Sequence, residues 1–220
     1  MILDVIRTVE PVPYREAYER QKDLHARRVA GEIPDTLWLL EHPPVITTGL
    51  RRDQDSNILI DPAAVGAELV ETERGGEVTY HGPGQLVGYL FVHMENHGFR
   101  VKRFVERLEE AFIRCLADAY GIAARHDAEH TGVWVGMEKI TAIGIALRQR
   151  VTFHGFAFNV NTDLSHFGWI VPCGIAEAGR GVTSLERLTG KKADFEAAAQ
   201  GVAEAVREGL GYGGGAFTVE

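Results

Sequence analysis

The sequence predicts an α+β fold, and three observations carry that prediction. Helical stripes of apolar residues lie near the start, the middle and the end of the chain, and strand-forming runs punctuated by glycine fill the stretches between them. The 220 residues also show no repeat, low-complexity linker or composition break that would divide them. One domain over residues 1–220 is expected, long enough to bury a substantial core.

In order along the chain, PYREAYERQKDLHARRVAG places Tyr14, Ala17, Tyr18, Gln21, Leu24 and Arg28 at helical spacing between Pro13 and Gly31, so a helix is expected there. DTLWLLEHPPVITTG is apolar and rich in β-formers around Pro43 and Pro44, which predicts two short strands or a strand running into a loop. Residues 53–66 are turn-rich, and AELVETERGGEVTYHGPGQLVGYLFVHM supplies further strands broken by glycines. The strongest helical signal is VKRFVERLEEAFIRCLADAYGI: Val101, Phe104, Val105, Leu108, Phe112, Cys115, Leu116 and Ala119 share one stripe that stops at Gly121. GVWVGMEKITAIGIALRQRVTFHGFAFNVN predicts a strand, a turn, and two long strands joined near Arg148, Gln149 and Arg150. A last helix is expected after Asp194 as N-cap, with Phe195, Ala198, Val202, Ala205 and Val206 on one face, before a glycine-rich tail.

Composition narrows the function. Hydrophobic residues make up 45% and charged residues 25%, as in ordinary globular proteins. A net charge of −8 argues against nonspecific nucleic-acid binding, because a polyanion is repelled. No apolar run is long enough to span a bilayer, and MILDVIRTVEPVPYRE gains acids and prolines where a signal peptide would continue its apolar core, so neither a membrane nor export is expected. Two cysteines are too few for a disulfide framework and fit a reducing compartment; the expected location is the cytoplasm.

The two cysteines differ in context. Cys115 lies on the apolar stripe of the central helix, where a thiol acts as a small hydrophobe. Cys173 sits between Pro172 and Gly174, where a strand ends and the chain turns, and such turns present side chains into clefts. A reactive thiol must be a thiolate, so a cation or base has to stand beside it. His81 and His154 are available, and so is Lys139, set in EKITAIG among Ile140, Ala142, Ile143 and Ile145. If that strand is partly desolvated, the ammonium form of Lys139 is disfavoured and its amine becomes a usable proton carrier. The alternatives are a buried structural cysteine and an edge-strand lysine facing water.

RGGEVTYHGPGQLVGY is a third candidate segment. Arg74 precedes Gly75 and Gly76, two residues without Cβ atoms, so a ligand can come close to the main chain; Tyr80, His81 and Gln85 add hydrogen-bonding groups around a Gly82-Pro83-Gly84 turn. Neither a dinucleotide fingerprint nor a phosphate loop is present.

RGGEVTYHGPGQLVGY, EKITAIG, FHGFAFNVN and IVPCGI, in this order and together with LLEHPPVITTG, resemble the lipoyl-(octanoyl-acyl-carrier-protein) protein octanoyltransferases over residues about 37–188. The resemblance implies the fold of biotin and lipoate protein ligases, shared with class II aminoacyl-tRNA synthetases: a mixed sheet flanked by helices. It implies transfer of an octanoyl group from octanoyl-acyl carrier protein to a lysine of lipoyl domains, those of 2-oxoacid dehydrogenase complexes and of the glycine cleavage system. Cys173 would be the thioester nucleophile, and Lys139 the residue that lowers its pKa and shuttles protons. Arg74, Gly75, Gly76, Glu77, Val78, Thr79, Tyr80 and His81, with Ala142, Ile143, Gly144, Gly155, Phe156 and Ala157, would line the acyl site. No cofactor or metal is implied, and no ATP, because the donor is already a thioester.

Three consequences can be carried further. The glycines at 75, 76, 144 and 155 would leave a groove for an alkyl chain, and the Gly174 N–H would face the developing oxyanion. Because this chain is acidic and its protein partners are expected to be acidic too, docking would need basic residues, with Arg51, Arg52, Lys102, Arg103, Arg148 and Arg150 as candidates. The rival readings are an ATP-dependent lipoate or biotin protein ligase, a non-catalytic acyl-binding module, and a zinc site at His126 and His130.

Overall fold

A computed structural model describes residues 1–49, 57–98, 100–171 and 179–220. The chain opens with strand β1 (Leu3–Arg7), which alternates inward at Leu3, Val5 and Arg7, and enters helix α1 (Tyr14–Val29) directly after Pro13, at a boundary where no N–H is needed. Strands β2 (Asp35–Leu40) and β3 (Val45–Thr48) flank Pro43 and Pro44. Strands β4 (Glu68–Glu71), β5 (Thr79–His81) and β6 (Gln85–Phe91) precede helix α2 (Val101–Tyr120). Then come β7 (Arg125–His126), β8 (Val133–Val135) and a long hairpin of β9 (Glu138–Arg148) and β10 (Val151–Asn159). The hairpin turns at Gln149 and Arg150, both at positive φ (46° and 68°), the geometry that matches the twist of paired strands. Strand β11 (Gly181–Val182), a short helix α3 (Leu185–Thr189), helix α4 (Phe195–Leu210) and strand β12 (Phe217–Val219) complete the chain. The expected N-cap holds: the Asp194 carboxylate accepts the Ala197 N–H at 3.0 Å.

The larger sheet is mixed, in the order β12-β1-β2-β6-β10-β9-β8-β7, with β11 pairing parallel to β9. A smaller sheet runs β4-β3-β5. Each face of the large sheet is covered because its central strands alternate between two apolar sets. Leu37, Leu39, Leu86, Leu90, Phe156 and Phe158 pack with α2 and α4, whereas Trp38, Leu40, Val87, Tyr89, Phe91 and Phe153 pack beneath α1. Phe112 of α2 meets Phe156 edge-on at 4.8 Å between ring centroids. This is the expected mixed sheet flanked by helices.

The two end strands were not expected. β1 has only five residues before an acidic, proline-containing stretch, too few for its inward alternation to stand out, and the three residues of β12 are all exposed, so that strand carries no inward pattern. Both are held by backbone pairing, Val5 opposite Leu37 on one side and Phe217 on the other.

Candidate active site

A cavity of about 880 Å³ lies against β9 and β10. Its lining runs along β9 from Lys139 to Ile145 and along β10 from Asn159 to His154, with the segment from Arg74 to Thr79 laid across the strands and Tyr14, His81 and Tyr89 beyond. The backbone at Gly75 comes so near β9 that a Cβ at Gly144 would stand 3.0 Å from the Gly75 carbonyl oxygen. The glycines expected to hollow out a groove therefore also let protein backbone meet protein backbone.

The Arg74 segment is pinned from two sides. The buried Arg74 guanidinium donates to the Thr47 carbonyl at 2.8 Å, to Thr47 Oγ1 at 3.0 Å and to the Gly75 carbonyl at 3.1 Å, which ties the segment to β3. One residue earlier, Glu73 accepts from the Tyr18 hydroxyl of α1 and pairs with Arg148 at the end of β9.

Three buried histidines belong to this region: His81 and His154 line the cavity, and His42 packs behind His81. His42 Nδ1 donates to the Val12 carbonyl at 2.6 Å, which leaves Nε2 to accept from the Tyr89 hydroxyl at 2.7 Å; burial pushes its pKa down to about 4. His81 Nδ1 donates to Gln85 Oε1 at 2.7 Å, and burial, with His42 and Arg74 nearby, pushes its pKa down to about 3. His154 is likewise pushed down to about 3, first by burial. All three are neutral imidazoles near pH 7, and none is a ready-made cation for a thiolate.

From His81 a hydrogen-bond chain crosses the cavity floor. The Gln85 amide donates to Asn159 Oδ1 at 3.0 Å, the Asn159 amide donates to the Thr183 carbonyl at 3.0 Å, and the Thr183 N–H donates to the Lys139 carbonyl at 3.0 Å. Lys139 is thus fixed in the main chain by β11, whose Val182 is its register partner. Its side chain retains 9% exposure, with Nζ 4.9 Å from the Trp134 ring centroid; Arg180 stands 5.0 Å from the same ring. Lys139 is therefore a buried lysine, unlike an edge lysine facing water.

The structure brings Lys139, Arg74, Gly75, Gly76, Glu77, Val78, Thr79, His81, Ala142, Ile143, Gly144, Gly155, Phe156 and Ala157 to this one cavity. Tyr80 does not line it. Because β5 alternates, Thr79 and His81 face the cavity while the Tyr80 ring points the other way, into a cluster with Ile46, Phe167 and Ile170, its hydroxyl 2.7 Å from His166 Nδ1. Cys173, Gly174, Arg51 and Arg52 lie outside the described residues. Of the other basic candidates, Arg148 is engaged with Glu73, and Arg103 pairs with Glu106 at 3.4 Å and Glu110 at 3.3 Å beside the cavity mouth. Cys115 is a free, half-buried thiol packed against the core, and burial, with Asp118 and Glu204 nearby, pushes it up to about 11, which makes it inert. His126 sits on β7 with Nδ1 2.9 Å from Glu109, and among the described residues no three His, Cys, Asp or Glu side chains are grouped to hold a metal ion.

Sequence reasoning missed Tyr14, Tyr89, Trp134 and Asn159 as lining or supporting residues. The signal for Tyr14 and Tyr89 was masked by their helix and strand stripes, where an aromatic reads as core. Asn159 was legible as a polar residue ending an otherwise buried strand.

The model of the lipoyl protein ligase A/B catalytic domain matches residues 13–207. A protein of Caldicellulosiruptor saccharolyticus named octanoyltransferase is 55% identical over 192 residues, which cover 86% of this chain and 80% of that relative. This chain belongs to the octanoyltransferase family. Solved structures share the fold at low identity: a lipoate-protein ligase A bound with ATP superposes with a TM-score of 0.78 at 15% identity, over 100% of this chain and 90% of that one. A biotin protein ligase from Aquifex aeolicus in complex with biotin and ATP gives a TM-score of 0.58 at 16% identity, over 95% and 70% of the two chains. The octanoyltransferase family thus shares its sheet with ligases. Among the described residues no helix is long and apolar enough to cross a membrane.

Proposed function

We propose that this chain is one catalytic domain that moves an octanoyl group from octanoyl-acyl carrier protein to a lysine of lipoyl domains in the cytoplasm, with Cys173 carrying the acyl group and Lys139 handling the proton. The observation that carries the reading is the 55% identity to a relative named octanoyltransferase. It is supported by the convergence of Lys139, the Arg74 segment, Ala142 to Gly144 and Gly155 to Ala157 on one cavity.

The chemistry balances without an outside energy source. The Cys173 thiolate attacks the carbonyl carbon of the carrier thioester, a new C–S bond forms, the carrier's C–S bond breaks, and the leaving thiolate takes the proton held at Lys139 Nζ. The acceptor lysine, as a free amine, then attacks the Cys173 thioester; an amide forms, the thiol leaves, and the proton lost from nitrogen returns through Lys139. Thioester exchange is nearly isoenergetic and amide formation is downhill. Backbone N–H groups beside Cys173, that of Gly174 first, would stabilise the oxyanion by about 3 kcal/mol. Burial of the alkyl chain contributes about 0.8 kcal/mol per methylene.

Two rivals are disfavoured. The solved ligases share the fold at 15–16% identity, far below the relatives named octanoyltransferase, and a ligase has no use for a cysteine nucleophile. A non-catalytic module would keep its function in Cys173→Ala. Incubation with octanoyl-acyl carrier protein should add a single octanoyl group, released by hydroxylamine and absent from Cys173→Ala; acylation at another residue, or none, would end this reading.

A further inference from the structure

The Lys139 side chain runs past a glycine. A Cβ placed on Gly132 would stand 3.3 Å from Lys139 Cδ, 3.3 Å from Lys139 Cε and 2.5 Å from the Thr141 carbonyl oxygen, so the two methylenes nearest the amine lie along a main-chain surface that a side chain would block. The Trp134 ring is a second surface, its centroid 4.9 Å from Nζ. Gly132 and Trp134 both belong to the segment that enters β8, and Gly132 holds a φ of 128° there, in the region that favours glycine. Where this segment sits therefore decides where the Lys139 amine sits.

Two kinds of bond hold the segment. Within it, Asp127 Oδ1 accepts the Glu129 N–H at 3.1 Å and the His130 N–H at 3.0 Å, and Trp134 Nε1–H donates to the His130 carbonyl at 3.2 Å. From another layer comes Glu109, a residue of α2 that is 7% exposed and lines the cavity. Its Oε1 accepts the Gly132 N–H at 2.7 Å, and its Oε2 accepts from His126 Nδ1 at 2.9 Å. A carboxylate among the buried residues of a helix is costly unless it is bonded, and here both oxygens are engaged. One N–H thus separates Glu109 from the residue against which the Lys139 stem lies.

We propose that Glu109 is a positioning residue for Lys139, acting through the Gly132 N–H to hold the surface along which the lysine stem lies. The proposal rests on the reading above, in which Lys139 handles the proton of acyl transfer. What matters is the reach of the acceptor. If it is withdrawn by one methylene, a buried N–H is left unpaired, the segment shifts to satisfy it, and the amine loses its alignment.

Two conservative variants separate reach from charge. Glu109→Gln keeps an oxygen at the same distance from Gly132, and its amide can donate to His126 Nδ1 in the other tautomer. Glu109→Asp keeps the charge and shortens the reach. The measurement is single-turnover octanoyl loading from octanoyl-acyl carrier protein, followed by mass spectra of the intact protein across donor concentrations. Glu109→Asp should lower the maximal loading rate about tenfold with the half-saturating donor concentration unchanged, while Glu109→Gln stays within about twofold of the parent. In a Lys139→Ala background, Glu109→Asp should cause no further loss, because the group it positions is gone; its effect on the melting temperature should persist there. An equal fold-loss in both backgrounds would overturn the proposal, since Glu109 would then act on the fold or the donor and not through Lys139. A slow Glu109→Gln beside a parental Glu109→Asp overturns it too, as do parental rates in both. If Lys139→Ala alone loads at the parental rate, or octanoyl fails to load on the unaltered protein, the function reading itself falls and takes this proposal with it.

Discussion

Glu73 accepts a hydrogen bond from the Tyr18 hydroxyl at 2.5 Å, and the same carboxylate pairs with Arg148. Helix α1, the loop that leads into Arg74, and the β9–β10 hairpin are thereby tied at one residue. Burial alone would raise the Glu73 pKa, but the Tyr18 hydroxyl and the Arg148 guanidinium more than offset it and hold the carboxyl below its ordinary value. Glu73→Gln keeps the shape and removes the charge. Its melting temperature should fall by about 2–4 °C, the equivalent of roughly 1 kcal/mol, and the KM for the acyl donor should rise with little change in kcat. A large kcat loss at unchanged KM would mean that the clamp does not position the loop.

The same pair changes what is expected of Arg148 as a docking residue. Arg148→Glu sets two carboxylates against each other at Glu73, so the variant should lose stability and donor affinity at high salt as well as low. Docking alone predicts a defect that disappears at high salt, because exposed charge steering is screened. Stopped-flow loading rates across a salt series separate the two.

Lys139 carries the next expectation. Its amine is held over Trp134 and its carbonyl is fixed by the Thr183 N–H, so truncation to alanine removes a proton carrier without unpairing a strand. Lys139→Ala should fold and melt near the parent, losing about 1 kcal/mol from the cation–π contact. Acyl loading should slow by about 10²–10⁴-fold. Loading at parental rates would remove Lys139 from the chemistry.

What the sequence made legible follows from how local each signal is. The stripe from Phe104 to Leu116 and the Asp194 cap declare their helices within one turn, and both were read correctly. The end strands β1 and β12 could not be read, because β12 exists only through backbone pairing with β1 across more than two hundred residues of chain, and β1 is too short for its alternation to stand out. The site shows the same divide. Lys139 stood out as a cation on an apolar strand, but Tyr80 was placed with its motif neighbours although strand parity turns it away. His154 was weighed only as a base for the cysteine; its left-handed backbone, which decides where the ring goes, has no one-residue signature.

The buried histidines set a pH dependence of folding. In the fold His42 protonates at about 4, and His81 and His154 at about 3, whereas in the unfolded chain each titrates near 6.5. The unfolded chain therefore binds more protons between these limits, so stability is complete above about pH 6.5 and falls as pH drops toward 4. Each such histidine contributes a slope of up to about 1.4 kcal/mol per pH unit. Urea midpoints at pH 7.5, 6.0 and 5.0 should decline steadily, and His154→Asn should flatten the decline. A midpoint independent of pH in this window would show that the rings are not buried neutral.

Two glycines of the cavity make opposite forecasts for the same substitution. A Cβ on Gly155 would stand 2.0 Å from the Gly88 carbonyl oxygen and 3.0 Å from its carbonyl carbon, both backbone atoms of the neighbouring strand β6. Neither strand can yield without breaking the pairing of Gly155 with Tyr89, so Gly155→Ala should cost more than about 4 kcal/mol and yield little folded protein. A Cβ on Gly144 meets the Gly75 carbonyl oxygen at 3.0 Å, so the loop, whose Gly75 carbonyl accepts from Arg74 at 3.1 Å, has to give by a few tenths of an ångström, far less than the Gly155 contact would demand. Gly144→Ala should therefore fold, losing about 1–3 kcal/mol to overpacking. Its penalty should fall on the acyl site, because the displaced loop carries Gly75 and Gly76 across the cavity. Soluble yield and thermal melts test the first forecast, and octanoyl loading kinetics test the second. A Gly144→Ala protein with parental loading would show that the contact between this loop and β9 does not shape the acyl site.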